Sequence, residues 1–324
     1  METEAEEELC FPLLNSSCRR PNTHSQTHTA IIHTLLYLAA LITTVLNLLV
    51  IIAIAHFRQL HSTPHNFILL SLAVSDFFVG LVVIPVESFM SRTCWVLGDL
   101  LCVVYFVLPI TLVSASVGNM VLISVDRYVA ICDSMRYQTR MSVRIVCTGI
   151  GVCWLGSLFY TLCLMYENLV EPGRDHSCRG ECLINVSGEA DLVIVFIIPV
   201  TVVVVLYLRV FVAAVTQARA MRSHVATQQN TVTAQKSEIK AARNLGVVVI
   251  VFLICYSPYY CMSLSGGNLV IGSPTEMLMS FWMYFNSTLN PVIYALFYPW
   301  FRKAIKLIVT LQILKPGSCD TNIV

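Results

Sequence analysis

Charge is what this chain of 324 residues has least of: Asp, Glu, Lys and Arg make up 12% of it, against 56% apolar residues. That balance excludes an ordinary soluble domain, in which about a quarter of the residues are charged. No nucleotide-binding glycine motif, internal repeat or soluble catalytic domain interrupts the chain. A secondary transporter would carry inverted repeats or helices broken symmetrically in two halves, and neither is visible. An intramembrane enzyme is not expected either, because no paired acids, His-Glu motif or Ser-Lys dyad falls on facing apolar runs. Nor does the N-terminus read as a cleavable signal. Its flank is acidic (Glu2, Glu4, Glu6 to Glu8) and the apolar run behind it is too long.

What is present is apolar length. A membrane span needs about 20 predominantly apolar residues. Seven segments meet that, at about residues 30–55, 67–90, 101–125, 145–166, 190–215, 245–264 and 277–298. Most Lys and Arg residues fall on alternate loops and the C-terminal tail; only Arg19, Arg20, Arg92, Arg174 and Arg179 lie on the other side. Positive charge stays inside, so the N-terminus is expected outside the cell and the C-terminus in the cytoplasm. The predicted division is an extracellular segment over 1–29, an all-α seven-span bundle over 30–298, and an amphipathic helix with a cytoplasmic tail over 299–324. Cys10, Cys18, Cys94, Cys102, Cys178 and Cys182 fall on the oxidising side, a number suited to three disulfides in any of fifteen pairings. Asn15 and Asn185 head outward-facing glycosylation sequons.

The most informative stretch runs Asn286-Ser-Thr-Leu-Asn-Pro-Val-Ile-Tyr-Ala-Leu-Phe-Tyr-Pro-Trp-Phe-Arg-Lys-Ala304. Polar side chains inside lipid are costly and mark function. Asn286, Ser287, Thr288 and Asn290 stand together beside Pro291, which removes a helix hydrogen bond. The stretch resembles the seventh helix and membrane-surface eighth helix of rhodopsin-like G-protein-coupled receptors. As a whole it is similar to the signature of the trace amine-associated receptors, in their divergent fish-type olfactory branch. Asp126-Arg127-Tyr128, 25 residues after Cys102, fits the same family.

The resemblance implies further roles. Cys102 would pair with Cys182, while Cys10 and Cys18 would pin the N-terminal segment to Cys178 and Cys94 respectively. Asp76 would meet Asn47, Ser116, Asn286 and Asn290 around a hydrated sodium ion, or else form a purely hydrogen-bonded cluster. Arg127 would be held at rest by Glu238 and, with Asp126, Tyr128, Asn290, Pro291 and Tyr294, would form the switch that opens to a heterotrimeric G protein, a stimulatory one raising cyclic AMP. The family also implies the plasma membrane, and the cilia of olfactory sensory neurons, as the location. Tyr256 stands where the family has a tryptophan two residues before Pro258.

The ligand is read differently from the family norm. The third-helix aspartate that holds an amine, 18 residues before Arg127, is Pro109 here, and no carboxylate lies between Cys102 and Val125. Pro109 is also expected to loosen its helix near Tyr105. Asp191 lies eight residues before Pro199, about 12 Å outward of it along a helix. It reads as a relocated amine anchor, or else as an exposed acid at a helix N-terminus. Glu87 would receive a second cation, as in a diamine, or would pair with Arg92 at the rim. Tyr256, Tyr259, Tyr260 and Tyr284 offer aromatic faces to a cation, with Ile110 beside Pro109. A receptor for a non-amine small ligand stays open as the alternative. No cofactor is expected beyond that sodium, and no nucleic-acid partner.

Overall fold

Each apolar run becomes a helix because lipid offers no partner to a bare backbone N–H or C=O, so every span must bond internally. The computed structural model describes residues 9–14, 16–19, 26–61, 63–174, 176–223, 246–262, 264, 268–271 and 274–323. Its long helices are α1 (Gln26–His56), α2 (Pro64–Met90), α3 (Asp99–Cys132), α4 (Val143–Leu164), α5 (Gly188–Thr216, running on to Ser223), α6 (Gly246–Met262) and α7 (Pro274–Phe297), followed by the shorter α8 (Pro299–Val309). The first five are each long and apolar enough to cross a membrane, and α6 is a shorter apolar helix. α3 sits centrally, packed against α2, α4 and α5. Apolar side chains such as Leu35, Leu41, Leu155, Phe159 and Val212 stay exposed on outer faces, where lipid covers them.

Among the described residues, α2 and α5 depart locally from α geometry. α2 passes through a π turn at Val79–Val83 just before Pro85, and α5 through one at Leu192–Ile197 just before Pro199. A proline cannot bond back and its ring crowds the preceding turn. A π turn widens the helix by one residue and absorbs that conflict. α3, by contrast, runs unbroken through Pro109, so the loosening expected at Tyr105 does not interrupt it. Gly80 is required where α1 and α2 touch: a Cβ there would stand 2.8 Å from the Thr44 backbone nitrogen.

The extracellular side is clasped covalently. Cys102 and Cys182 are bonded with Cα atoms 5.6 Å apart, as the resemblance implied. The other two pairs are Cys10–Cys94 and Cys18–Cys178, the reverse of the expected partners. The backbone path decides this. Cys18 N–H donates to Arg179 C=O and Arg179 N–H to Ser16 C=O, laying Cys18 beside Cys178. Trp95 N–H donates to Gly180 C=O, bringing Cys94 to the other side of the same loop, against Cys10. A two-stranded antiparallel ladder, β1 (Ile184–Ser187) with β2 (Asn268–Ile271), ties the second and third extracellular loops together and was not anticipated. Asn185 lies half-buried in β1, its carbonyl accepting from Asn168 Nδ2; Asn15 lies outside the described residues.

At the cytoplasmic end α7 stops at Phe297 and α8 starts at Pro299. Arg302 donates to the Ala295 and Leu296 carbonyls at 3.0 Å each, satisfying acceptors that a helix end leaves open. The chain then turns back under the bundle. Ile323 is 1% exposed, its N–H bonded to Gln59 Oε1, while Ser318 shares a hydrogen bond with His56 and Asp320 pairs with Arg58.

Candidate functional site

Asp191 is buried at the start of α5. It is 8% exposed, not a solvated helix-start acid, and the helix-start capping falls to Ser187, whose Oγ accepts from Ala190 N–H. The π turn begins immediately after it, at Leu192. The Tyr160 hydroxyl donates to Asp191 Oδ1 at 2.7 Å from α4. Glu87, 5% exposed, likewise faces inward, with Oε1 accepting from the Tyr284 hydroxyl at 2.8 Å. It therefore does not pair with Arg92 at the rim.

Both carboxylates line one cavity of about 40 Å³, walled further by Pro109, Ile110, Tyr259, Tyr260 and Tyr284. Above it opens a vestibule of about 430 Å³, which shares Glu87, Phe106 and Glu276 with the inner cavity. Of the tyrosines expected here, Tyr256 is the exception. It is buried against Phe252, ring centroids 4.3 Å apart, and lines neither cavity. Tyr260 instead stacks on Phe196 at 4.6 Å, joining α6 to α5.

A second polar centre lies deeper. Asp76, wholly buried, accepts from Asn290 Nδ2 and Ser287 Oγ, both at 2.8 Å, and from Ser116 Oγ at 3.4 Å. Asn290 and Ser116 therefore stand where the resemblance placed them. Asn286 and Asn47 do not touch Asp76: the Asn286 amide has no protein partner, and Asn47 donates to the Thr43 and Ser287 carbonyls. Ser287 takes the place expected of Asn286. The donor set is all oxygen, a carboxylate with hydroxyls, as hard cations prefer. The buried Asn47, Asn286 and Asn290 side-chain oxygens, which have no hydrogen-bond partner, fit such a guest.

The third centre is cytoplasmic. Arg127 donates to Asp126 Oδ2 through Nε at 2.8 Å and again through Nη2, two donors of one guanidinium converging on a single carboxylate oxygen. Tyr137, in the loop after α3, donates to Asp126 Oδ1 at 2.8 Å. Burial, and then the neighbouring carboxylate, hold the Tyr137 phenol well above its ordinary pKa, so it stays a donor. His65 Nδ1 stands 3.0 Å from Asp126 Oδ2, a partner that sequence reading missed. Tyr128 is half-buried beside this cluster, and Tyr294 is buried with its hydroxyl unpartnered, one turn beyond Asn290 and Pro291. Glu238 lies outside the described residues.

Comparison with known proteins places these centres in a family. The family described as 7 transmembrane receptor (rhodopsin family) matches residues 46–294. Trace amine-associated receptor 13c of Danio rerio is 36% identical over 329 residues, covering 98% of this chain and 96% of that protein. Trace amine-associated receptor 4 of Mus musculus is 35% identical over 338 residues, with the same coverage. Trace amine-associated receptor 7e of Mus musculus is 37% identical over 333 residues, covering 98% of this chain and 92% of that protein. This is a multi-pass membrane receptor class and not an enzyme. On these matches the chain belongs to the rhodopsin-family G-protein-coupled receptors and, within them, to the trace amine-associated receptors.

Proposed function

We propose that the receptor detects an extracellular small amine whose ammonium is held by Asp191 from the fifth helix, with Glu87 receiving a second cation when the ligand is a diamine. The observation that carries this reading is the convergence of the two buried carboxylates on one cavity beside Pro109, where the family's usual acid is missing. A carboxylate buried without a positive partner is costly, and an ammonium supplies that partner. Tyr259, Tyr260 and Tyr284 add aromatic faces, each worth roughly 0.5–2 kcal/mol to a cation. On the inside, Arg127 leaves Asp126 to meet a stimulatory G protein, with Glu238, Tyr128, Asn290, Pro291 and Tyr294 in the switch and cyclic AMP as the output. A sodium ion at Asp76 would neutralise that buried charge at rest. The cilia of olfactory neurons are the expected site of action.

The Tyr160 bond favours one rival: Asp191 as a structural acceptor and the ligand not an amine. Concentration–response curves for aliphatic, aromatic and di-amines in cells separate the two. Asp191→Asn, at equal surface expression, is expected to cost roughly two to four decades in potency, the equivalent of about 3–5 kcal/mol for a broken buried pair. Unchanged potency would refute the anchor. Loss confined to Glu87→Gln would move it to the second helix.

A further inference from the structure

We infer that the vestibule is a further cation subsite, built on Glu276, and that the receptor prefers a linear triamine to a diamine. This rests on the amine reading above and extends the same site outward. The inner cavity and the vestibule share Glu87, Phe106 and Glu276, so a ligand lying along them passes from one to the other. Glu87 stands at the junction. Its side chain is 95% buried; Oε1 is taken by Tyr284, and Oε2 has no hydrogen-bond partner. A buried carboxylate oxygen left without a donor points to a ligand that supplies one.

Glu276 marks the outer station. It sits in the first turn of α7 and accepts from the Ser280 hydroxyl. Eight residues separate it from Tyr284, so its Cα lies about 12 Å outward along the helix from the residue that holds Glu87. Asp191 lines the inner cavity, and Glu87 and Glu276 line both the inner cavity and the vestibule, so the three acids border one continuous path. Apolar and aromatic residues share the walls with the acids: Phe106 is common to both cavities, and Met90, Trp95 and Tyr105 line the vestibule. Such walls suit methylene spacers, while the acids suit the ammonium groups that punctuate them. The vestibule lining counts three carboxylates, Glu87, Glu181 and Glu276, against one guanidinium, Arg19, which leaves it net negative. Glu276 already has a partner within the protein, and the ammonium would join that arrangement.

The test uses full-length receptor in cells, with G-protein activation as the readout. The probes are 1,5-diaminopentane, spermidine and the two mono-acetylated spermidines. Wild type is expected to respond to spermidine at about tenfold lower concentration than to the diamine, the scale of one added half-buried ion pair. Glu276→Gln is expected to lower spermidine potency about tenfold more than diamine potency, and Glu276→Asp to restore the preference. If Glu276→Gln fails to reach the surface, the acetylated spermidines test the subsite on wild type: removing one terminal charge should erase the preference. A diamine response with no triamine advantage, or an advantage that survives both Glu276→Gln and acetylation, overturns the triamine inference alone. Silence to every amine, or amine responses indifferent to Asp191→Asn, overturns the amine reading instead.

Discussion

Asp126→Asn is the sharpest probe of the cytoplasmic switch. The Asp126 side chain is wholly buried and takes two donations from Arg127, one from Tyr137 at 2.8 Å and a His65 contact at 3.0 Å. The amide keeps the shape and one acceptor oxygen but removes the charge facing the guanidinium. Breaking a buried pair costs about 3–5 kcal/mol; Arg127 keeps 20% of its side chain in solvent, so the lower bound applies. On the proposed switch that loss falls on the resting state alone, since Arg127 leaves Asp126 on activation. Moving a two-state receptor from about 1% active to parity takes roughly 2.7 kcal/mol, half of the 1:99 to 99:1 shift. Basal signalling near half-maximal is therefore expected without any agonist. Tyr137→Phe removes one neutral donor and should raise basal activity only about fivefold, for about 1 kcal/mol. The assay is agonist-free G-protein activation normalised to surface expression. Wild-type basal activity in a normally expressed Asp126→Asn receptor would refute the assignment of Asp126 as the restraint.

Cys102→Ser or Cys182→Ser should reduce surface expression by freeing the loop over the ligand cavity, and thiol labelling of Cys102 in folded wild type would contradict the pairing. Pro109→Asp should broaden the response toward ordinary monoamines, since the new acid lines the same cavity; a monoamine response no stronger than wild type sinks that idea. Ending the chain at Lys315 removes buried Ile323 and its bond to Gln59, a loss of about 1.5–3 kcal/mol. The detergent-solubilised receptor should then melt a few degrees lower, by the order of 2–4 °C per kcal/mol, and an unchanged Tm would mean that the docked tail adds nothing.

The spans were legible because lipid demands long uninterrupted apolar runs, and the expected boundaries fall within a few residues of the helices for five of the seven spans; α3 and α5 run on past the expected ends, to Cys132 and Ser223. The polar Asn286–Pro291 stretch was legible for the same reason in reverse. Angular detail was not. Neighbouring helical residues point about 100° apart, and a proline alters the local winding, so sequence could not decide between Asn286 and Ser287 as the partner of Asp76. Contacts distant along the chain were hidden as well. Tyr160 meets Asp191 across 31 residues, and His65 meets Asp126 from another helix. A lone histidine at a helix start or a tyrosine in an apolar run carries no sign of its partner. The disulfide exchange among Cys10, Cys18, Cys94 and Cys178 had a similar cause. Topology placed all four on one side, but only the backbone bonds around Arg179 and Gly180 fix which pairs meet.

The proposed placement of the amine-holding acid on the fifth helix rather than the third involves more than one residue. Pro109 abolishes the old position twice over, offering no charge and no N–H, yet α3 stays helical because Val103, Phe106 and Leu112 remain buried against its neighbours. Asp191 then sits where α5 enters its π turn, the geometry that fits Pro199 two residues after that turn ends at Ile197. The same local device that absorbs the proline thus sets the register of the acid. Tyr160 completes the arrangement from α4, donating to Asp191 Oδ1. On the proposed reading of Asp191 as the anchor, its placement is coupled to the proline below it: Pro199→Ala, which removes the reason for the π turn, should weaken amine potency without touching the ligand. Potency equal to wild type, with normal surface expression, would show that the π turn and the placement of Asp191 are independent.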